Sequence, residues 1–217
     1  FQVDAIERQL TNLRDSRDRG MVIGAGTGAG KTKAFYIPAF AHIAEAIDLQ
    51  QPYLQALAIY PRNELLKDQL AEAFAEARKL DDVLIQYGKR PITMGAYFGD
   101  TPESASALQR FGSWPQTDDR RGYICPYFAC PNDANHVLVW EQADVEAETA
   151  ENQHHQYGRH ARLRCASCDY ETKPGQLALT RQQMRVAPPD ILFTSTEMLN
   201  RRLSNTDDYA LFGVGQP

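Results

Sequence analysis

Long apolar runs are missing from this sequence. No stretch approaches the roughly 18–20 consecutive apolar residues that a membrane-spanning helix needs. The amino end also lacks the basic segment and apolar core of a secretory signal peptide, and its pattern is that of a helix start. We therefore expect a cytoplasmic protein, in which cysteines stay reduced and bind metal rather than each other.

Positive charge is scarce as well. The chain has 23 Lys and Arg against 28 Asp and Glu, a formal net charge of -5. This balance excludes a histone-like coat of positive charge. It leaves open a protein that grips a nucleic-acid backbone through a few local amides and arginines. With 217 residues, 43% of them hydrophobic, the chain can form one α/β domain, or one domain that carries a small insert.

Alternating apolar runs predict a doubly wound parallel sheet with helices on its faces. Strands are predicted at 21–23, 56–60, from 92 and at 190–194, with helices at 3–13, from 31, at 63–80, at 103–111 and from 196. The alternation of strands and helices stops between Phe111 and Gln176, where polar residues, histidine and cysteine are frequent. We therefore divide the chain into an α/β lobe at 1–119, an insert at 120–173 and the rest of the lobe at 174–217.

A glycine-rich loop follows the first predicted strand and opens a helix. It reads Ala25-Gly26-Thr27-Gly28-Ala29-Gly30-Lys31-Thr32, and it fits the phosphate-binding pattern except at Ala25, where the pattern has glycine. Backbone N–H groups of such a loop turn toward a β-phosphate. Lys31 is predicted to reach the β- and γ-phosphates and Thr32 to hold Mg²⁺. The alternative is a glycine-rich turn without a ligand.

The four cysteines form two pairs, Cys125 with Cys130 and Cys165 with Cys168, spaced C-x4-C and C-x2-C. Two knuckles of this kind can bring four thiolates to a tetrahedral Zn²⁺. We therefore predict a zinc ribbon in the insert, with four buried free thiols as the alternative. The histidines between the pairs are interpreted as solvent-exposed loop residues; they are His136, His154, His155 and His160.

The sequence resembles the superfamily 2 helicases of the DExH or DEAD-like kind across its whole α/β part. Residues 26–32 look like motif I, Tyr60-Pro61-Arg62-Asn63-Glu64-Leu65 looks like motif Ia, Tyr97-Phe98-Gly99-Asp100-Thr101 looks like motif Ib, and residues 188–199 look like motif Ic. The amino-acid sequences of motifs Ia and Ic are most similar to those of large bacterial helicases with zinc sites, including Lhr- and MrfA-like enzymes and helicases of phage-defence clusters. The resemblance implies the first RecA-like lobe of an ATP-driven motor.

Motifs Ia, Ib and Ic are each predicted to follow the carboxyl end of a parallel strand, where α/β sheets present their ligands. Helix starts after these strands can offer N–H groups to phosphate oxygens, and arginines add charge. Such contacts hold a strand without reading its bases. The predicted contacts are Pro61, Arg62, Asn63, Gly99, Asp100, Thr194, Thr196 and Arg201. Each could instead be an ordinary residue of a strand-to-helix turn.

Gln2 precedes the phosphate loop, as a glutamine does in the helicases. A side-chain amide can donate and accept at once, which matches the N6/N7 edge of adenine. We therefore predict that Gln2 contacts the ATP base, and the alternative is a solvent-facing helix residue.

A catalytic acid is missing from the predicted sheet. Motif II, Asp-Glu-x-His or similar, would hold Mg²⁺, yet Asp118-Asp119 and Asp207-Asp208 do not end apolar strands. The chain also begins at Phe1 without an initiator methionine. We therefore expect a piece of a longer protein that carries motif II and a second RecA-like lobe, and we expect this piece alone not to hydrolyse ATP.

The sequence thus predicts the ATP-binding lobe of a helicase or translocase that uses ATP, Mg²⁺ and Zn²⁺. DNA, single-stranded or duplex, is the expected track, and RNA is the alternative. Two other functions stay open. One is a P-loop NTPase of another class, chaperone-like or signalling, and the other is a non-catalytic zinc-binding adaptor for nucleic acid.

Overall fold

The computed structural model describes residues 1–15, 20–24, 31–47, 53–209 and 211–212. The chain forms two compact units, Phe1–Ile47 and Asp48–Pro217. Within the described ranges, no helix combines the length and the apolar character that crossing a membrane requires.

The helices are α1 (Gln2–Arg14), α2 (Lys31–Ala46), α3 (Asn63–Arg78), α4 (Asp81–Gln86), α5 (Ala105–Phe111), α6 (Gln142–Asn152), α7 (Arg181–Val186) and α8 (Thr196–Arg202). The strands are β1 (Ala56–Tyr60), β2 (Met94–Tyr97), β3 (Gly122–Cys130), β4 (Asp133–Glu141), β5 (Arg164–Cys165), β6 (Leu177–Ala178) and β7 (Ile191–Ser195). A short 3-10 helix follows at Thr206–Asp208.

The first unit contains α1 and α2, which pack against each other. Both helices begin close to where the apolar spacing predicts them, and Pro38 lies inside α2. The strand predicted at 21–23 is wrong, because residues 20–24 adopt no regular secondary structure and Val22 is 97% exposed. A three-residue apolar run becomes a strand only when neighbouring backbone satisfies its N–H and C=O groups.

The second unit contains a four-stranded parallel sheet in the order β1-β7-β2-β6. The strands predicted at 56–60, from 92 and at 190–194 correspond to β1, β2 and β7, with bounds that differ by two residues at most. The short strand β6 pairs with β2 and was not predicted from the sequence. The fold class is therefore mixed α/β with a parallel sheet, consistent with a RecA-like lobe.

Helix α3 packs against β1 and β7. Leu66, Leu70, Ala73 and Phe74 of this helix are fully buried. Leu65, in contrast, is 43% exposed. The buried residues recur at three- and four-residue intervals and form one stripe, and Leu65 lies about 100° away from Leu66 around the helix.

A second cluster of buried residues includes Tyr97 of β2, Leu192 of β7 and Met184 of α7. Helix α7 approaches β2 closely at Gly95, where an added Cβ would lie 3.2 Å from the Met184 methyl carbon. Glycine at this position therefore lets α7 cover the sheet.

The insert contains the three-stranded antiparallel sheet β3-β4-β5, which lies within the predicted range 120–173. Helix α6 follows β4 and packs on α5. The insert also packs on the parallel-sheet lobe, since β3 lies against α3 and the rings of Phe128 and Phe74 are 5.1 Å apart. Trp114 joins the contact, with its ring 5.5 Å from that of Tyr127. The core of the insert is thus shared with the α/β lobe.

Candidate nucleic-acid interface and metal group

The carboxyl ends of β1, β7 and β2 lie side by side, because these strands are adjacent and parallel. The turns that follow them carry the segments that resemble motifs Ia, Ic and Ib. Two hydrogen bonds connect these segments: the Thr196 hydroxyl donates to the Tyr60 carbonyl at 3.4 Å, and the Thr194 hydroxyl donates to the Tyr97 carbonyl at 2.7 Å. The sheet therefore gathers three distant parts of the sequence at one edge.

Pro61, Arg62 and Asn63 are exposed at the start of α3. Arg62 is the N-cap residue, with an extended backbone and no capping hydrogen bond from its side chain, and Asn63 is the first helical residue. The starts of α5 and α8 differ, since Ser104 and Ser195 accept hydrogen bonds from first-turn backbone N–H groups. The start of α3 therefore keeps N–H groups that can bind an anion.

The turn after β2 is closed by Thr101, whose hydroxyl donates to the Ala96 carbonyl at 2.6 Å and accepts from the Phe98 N–H at 3.2 Å. Gly99 is exposed at the tip of this turn. The Asp100 carboxylate lies 2.7 Å from the Lys67 ammonium of α3. This pair links the turn after β2 to α3 and offsets the negative charge of Asp100.

The predicted contact residues after β7 fall into two groups. Thr194 is fully buried, and its hydroxyl connects β7 to β2, so its side chain does not reach the exposed edge. Thr196 is exposed. Arg201 is exposed on α8 and pairs with Glu197 at 2.6 Å. The exposed edge thus includes Thr196 and Arg201 but not Thr194.

Asp208 is fully buried beneath this edge. Its carboxylate accepts hydrogen bonds from the Tyr97 hydroxyl at 2.8 Å and from Arg185 Nε at 2.7 Å, and Arg202 lies 3.4 Å away. Burial, followed by the hydrogen bond to Asp208, raises the pKa of Tyr97 to about 12. Sequence reasoning missed this network, because Tyr97 and Asp208 are far apart in the chain and no local pattern connects them.

Four potential metal ligands meet at one end of the insert. The ligand atoms of Cys130, His136, Cys165 and Cys168 all lie within 4.8 Å of one another. Cys130 is buried and the other three are partly buried. A hydrogen bond from the Tyr170 backbone N–H lowers the pKa of Cys168 to about 6, which favours the thiolate.

This group differs from the predicted set of four cysteines. It contains His136, which was predicted to be a solvent-exposed loop residue, and it does not contain Cys125. Cys125 is a buried thiol whose pKa is raised to about 12 by burial. A bulge separates Cys125 from Cys130, because the β3–β4 register passes from Ile124↔Val139 to Ala129↔Val137. Sequence spacing alone did not reveal that irregularity.

The predicted ATP contacts lie in the first unit. Lys31 and Thr32 open α2, as predicted, whereas residues 25–30 of the phosphate loop, Gly26, Thr27, Gly28, Ala29 and Gly30 among them, lie outside the described residues. Gln2 is exposed at the start of α1. The ATP-binding roles of these residues stay predictions.

Two comparisons with known proteins agree with the resemblance in the sequence. Residues 1–96 match the family model for the DEAD/DEAH box helicase. Over 215 residues, the chain is 26% identical to Druantia protein DruE from Escherichia coli (strain UMEA 4076-1). That alignment covers 88% of this chain but 12% of the relative. Together the two similarities support a DExH/DEAD-like helicase segment with a helicase-type ATP-binding lobe.

Proposed function

We propose that this chain is the ATP-binding lobe of an ATP-dependent helicase or translocase that holds nucleic acid at the carboxyl edge of β1, β7 and β2. The proposal rests on one observation: the turns after these three strands lie together at one edge of the sheet. Arg62 and Thr196 are exposed there, and the Arg62 side chain makes no capping hydrogen bond to the start of α3. The chain spans 12% of its relative's length, so the motor activity is proposed for a longer protein, in which we expect a second RecA-like lobe.

The chemistry of the edge suits a phosphate backbone rather than bases. Arg62 offers a guanidinium, Thr196 a hydroxyl, and the first turn of α3 its backbone N–H groups, all of which bind phosphate oxygens. Arg201, exposed on α8 and paired there with Glu197, adds a second guanidinium. Contacts of this kind let a motor move along a strand of any sequence. They also explain how a chain of net charge -5 can bind a polyanion locally.

The buried and paired residues of the edge take supporting roles in this proposal. Thr194 holds β7 to β2, and Asp100 holds the turn after β2 to α3 through Lys67. Gly99 lets a strand approach the tip of that turn, because it has no side chain.

On the ATP side, the glycine loop would wrap the β-phosphate, Lys31 would neutralise the β- and γ-phosphates, Thr32 would hold Mg²⁺, and Gln2 would contact adenine. Hydrolysis also needs an acid on Mg²⁺. Asp208 does not suit that role, because its carboxylate is buried and occupied by Tyr97 and two arginines. We therefore expect the isolated 217-residue chain not to turn over ATP.

The test is ATP turnover by the full-length protein with and without single-stranded DNA. Stimulation by DNA separates a motor from a chaperone-like or signalling NTPase, and turnover itself separates it from a non-catalytic zinc-binding adaptor. Lys31→Ala should reduce turnover to background, because the phosphates lose their main cationic partner. Lys33→Ala, in the same helix, is the matched control and should retain turnover.

ATP turnover by Lys31→Ala at the wild-type rate would contradict the motif I assignment. A parallel assay with single-stranded RNA compares the two tracks, and stronger stimulation by RNA would overturn the preference for DNA. A role in phage defence concerns the whole protein. It stays a prediction that rests on the sequence similarity of motifs Ia and Ic.

A further inference from the structure

We propose that Cys130, His136, Cys165 and Cys168 form a tetrahedral Zn²⁺ site in which His136 Nδ1, and not the Cys125 thiol, is the fourth ligand. The distances suit such a site. Two thiolates about 2.3 Å from a tetrahedral centre are about 3.8 Å apart. The Sγ atoms of Cys130 and Cys168 are 3.7 Å apart, and all four ligand atoms lie within 4.8 Å of one another.

The environment of His136 is the second observation. Its Nδ1 atom is buried and has no hydrogen-bond partner, whereas its Nε2 atom lies 3.6 Å from the Asp133 carboxylate. Buried polar atoms without a partner are rare in folded proteins. Histidine ligands of zinc commonly place their other ring nitrogen against a carboxylate, which fixes the tautomer and orients the ring. Ligation by Nδ1 accounts for both features of His136.

The thiols also have the hydrogen bonds expected around a charged metal site. The Ser167 backbone N–H donates to Cys165 Sγ at 3.4 Å, and the Asn132 side-chain amide donates to Cys168 Sγ at 3.7 Å. Such donors disperse the negative charge of thiolates and hold them in place. They come from the β3–β4 turn and from the loop after β5, so the site joins these two segments.

Cys125 lies apart from this group because of the bulge in β3. Four residues, 125–128, stand between the paired Ile124 and Ala129, opposite Leu138 alone. This stretch lies on α3, where Phe128 packs on Phe74, and Cys125 and Lys67 line the same groove. In this position Cys125 contributes to packing between the insert and the lobe, and the metal would hold the far end of the hairpin.

The experiment measures zinc in the full-length protein purified without chelators, by elemental analysis and by competition with a chromophoric chelator. We expect one equivalent at this site in the wild type and in Cys125→Ala. Loss of a ligand in His136→Ala or Cys168→Ser should weaken zinc binding more than the roughly 10–100-fold expected for Asp133→Asn, which perturbs only the carboxylate behind the histidine. His154→Ala, at an exposed histidine of the same insert, should leave affinity unchanged.

A cobalt spectrum tests the ligand set without any substitution. Co²⁺ bound to the wild-type protein should give the visible bands of a tetrahedral three-sulfur, one-nitrogen site, and His136→Cys should shift them to those of a four-sulfur site. Four-sulfur bands in the wild type, zinc loss in Cys125→Ala with retention in His136→Ala, or protein that binds no zinc would each overturn the inference.

Discussion

At its amino end, β7 follows a buried carboxylate, and at its carboxyl end it leads into an exposed turn. The Asp190 carboxylate is fully buried and accepts from both terminal nitrogens of Arg90 at 2.6 and 2.7 Å, from the Thr93 N–H at 2.8 Å and from Gln55 Nε2 at 3.1 Å. Only a few residues later, Thr196 is exposed, and its hydroxyl donates a hydrogen bond to the Tyr60 carbonyl at 3.4 Å.

The difference separates a buried, structural polar group from an exposed one within the segment that resembles motif Ic. Asp190 uses its lone pairs inside the protein, so it holds the amino ends of the strands together. Thr196 and Arg62 lie where a ligand can reach them. Since the strands are parallel, every strand of the sheet has the same polarity, and ligand contacts are expected at one edge only. Substitutions at the two edges test this division.

The largest effect is expected at the buried amino edge. Asp190→Ala should lower the free energy of unfolding by about 3–5 kcal/mol, because it leaves Arg90 partly buried without its partner. Chemical denaturation measures the change, and Asp207→Ala, at an exposed carboxylate, is the control. Nucleic-acid affinity per folded molecule should not change. A stable Asp190→Ala variant with impaired binding would reverse the assignment of the two edges.

A comparison of Asp208 with Asp207 tests whether burial, rather than position at the carboxyl edge, makes a carboxylate structural. Asp208 lies beneath the carboxyl edge but is fully buried, so Asp208→Asn should cost about 1.5–3 kcal/mol of stability through weaker bonds to Tyr97 and Arg185. Asp207→Asn, at the exposed neighbour, should change stability by less than about 0.5 kcal/mol. Equal effects in the two variants would contradict the network seen here.

At the exposed edge, the effect should appear in binding rather than in stability. Arg62→Ala should weaken binding to unrelated single-stranded sequences alike and reduce the slope of log affinity against log salt by about 0.7, the loss of one phosphate contact. Unfolding free energy should change by less than about 0.5 kcal/mol. Arg110→Ala, an exposed arginine at the end of α5, is the control. Sequence-selective binding, or unchanged affinity in Arg62→Ala, would remove Arg62 from the interface.

The smallest changes in stability and binding are expected for two threonines of the same segment, Thr194 and Thr196. Thr194→Val should cost about 1 kcal/mol of stability, because it removes the buried bond to Tyr97, and should leave the affinity of the folded protein unchanged. Thr196→Ala should do the reverse, weakening single-strand binding slightly at nearly constant stability. Fluorescence anisotropy and denaturation on both variants decide the matter, and a binding defect confined to Thr194→Val would contradict the proposed edge.

Elements with strong local patterns could be predicted. The strand at 56–60 and the helix that begins at Asn63 have clear apolar periodicity, and the structure agrees with both. The strand at 21–23 could not be predicted reliably, because a short apolar run depends on partners elsewhere in the chain. Strand β6 was missed for the same reason, since its two residues form a strand only by pairing with β2.

The candidate sites divide in the same way. The turns after β1, β2 and β7 were identified from residue types and order, but the burial of Thr194 depends on its position within the sheet. Likewise, cysteine spacing indicated a metal group in the insert, whereas the presence of His136 in that group, and the absence of Cys125 from it, depend on a bulge in β3.

By itself, the sequence determined the alternation of strands and helices, the phosphate-loop pattern and the resemblance to helicases, because each depends on residues close together in the chain. Tertiary structure decided which polar groups are buried and which remain available. Asp190, Thr194 and Asp208 are buried and bonded to partners far away in the sequence, so ligands cannot reach their side chains. Long-range packing sets the solvation of a polar group, and solvation separates a structural charge from one that can bind a ligand.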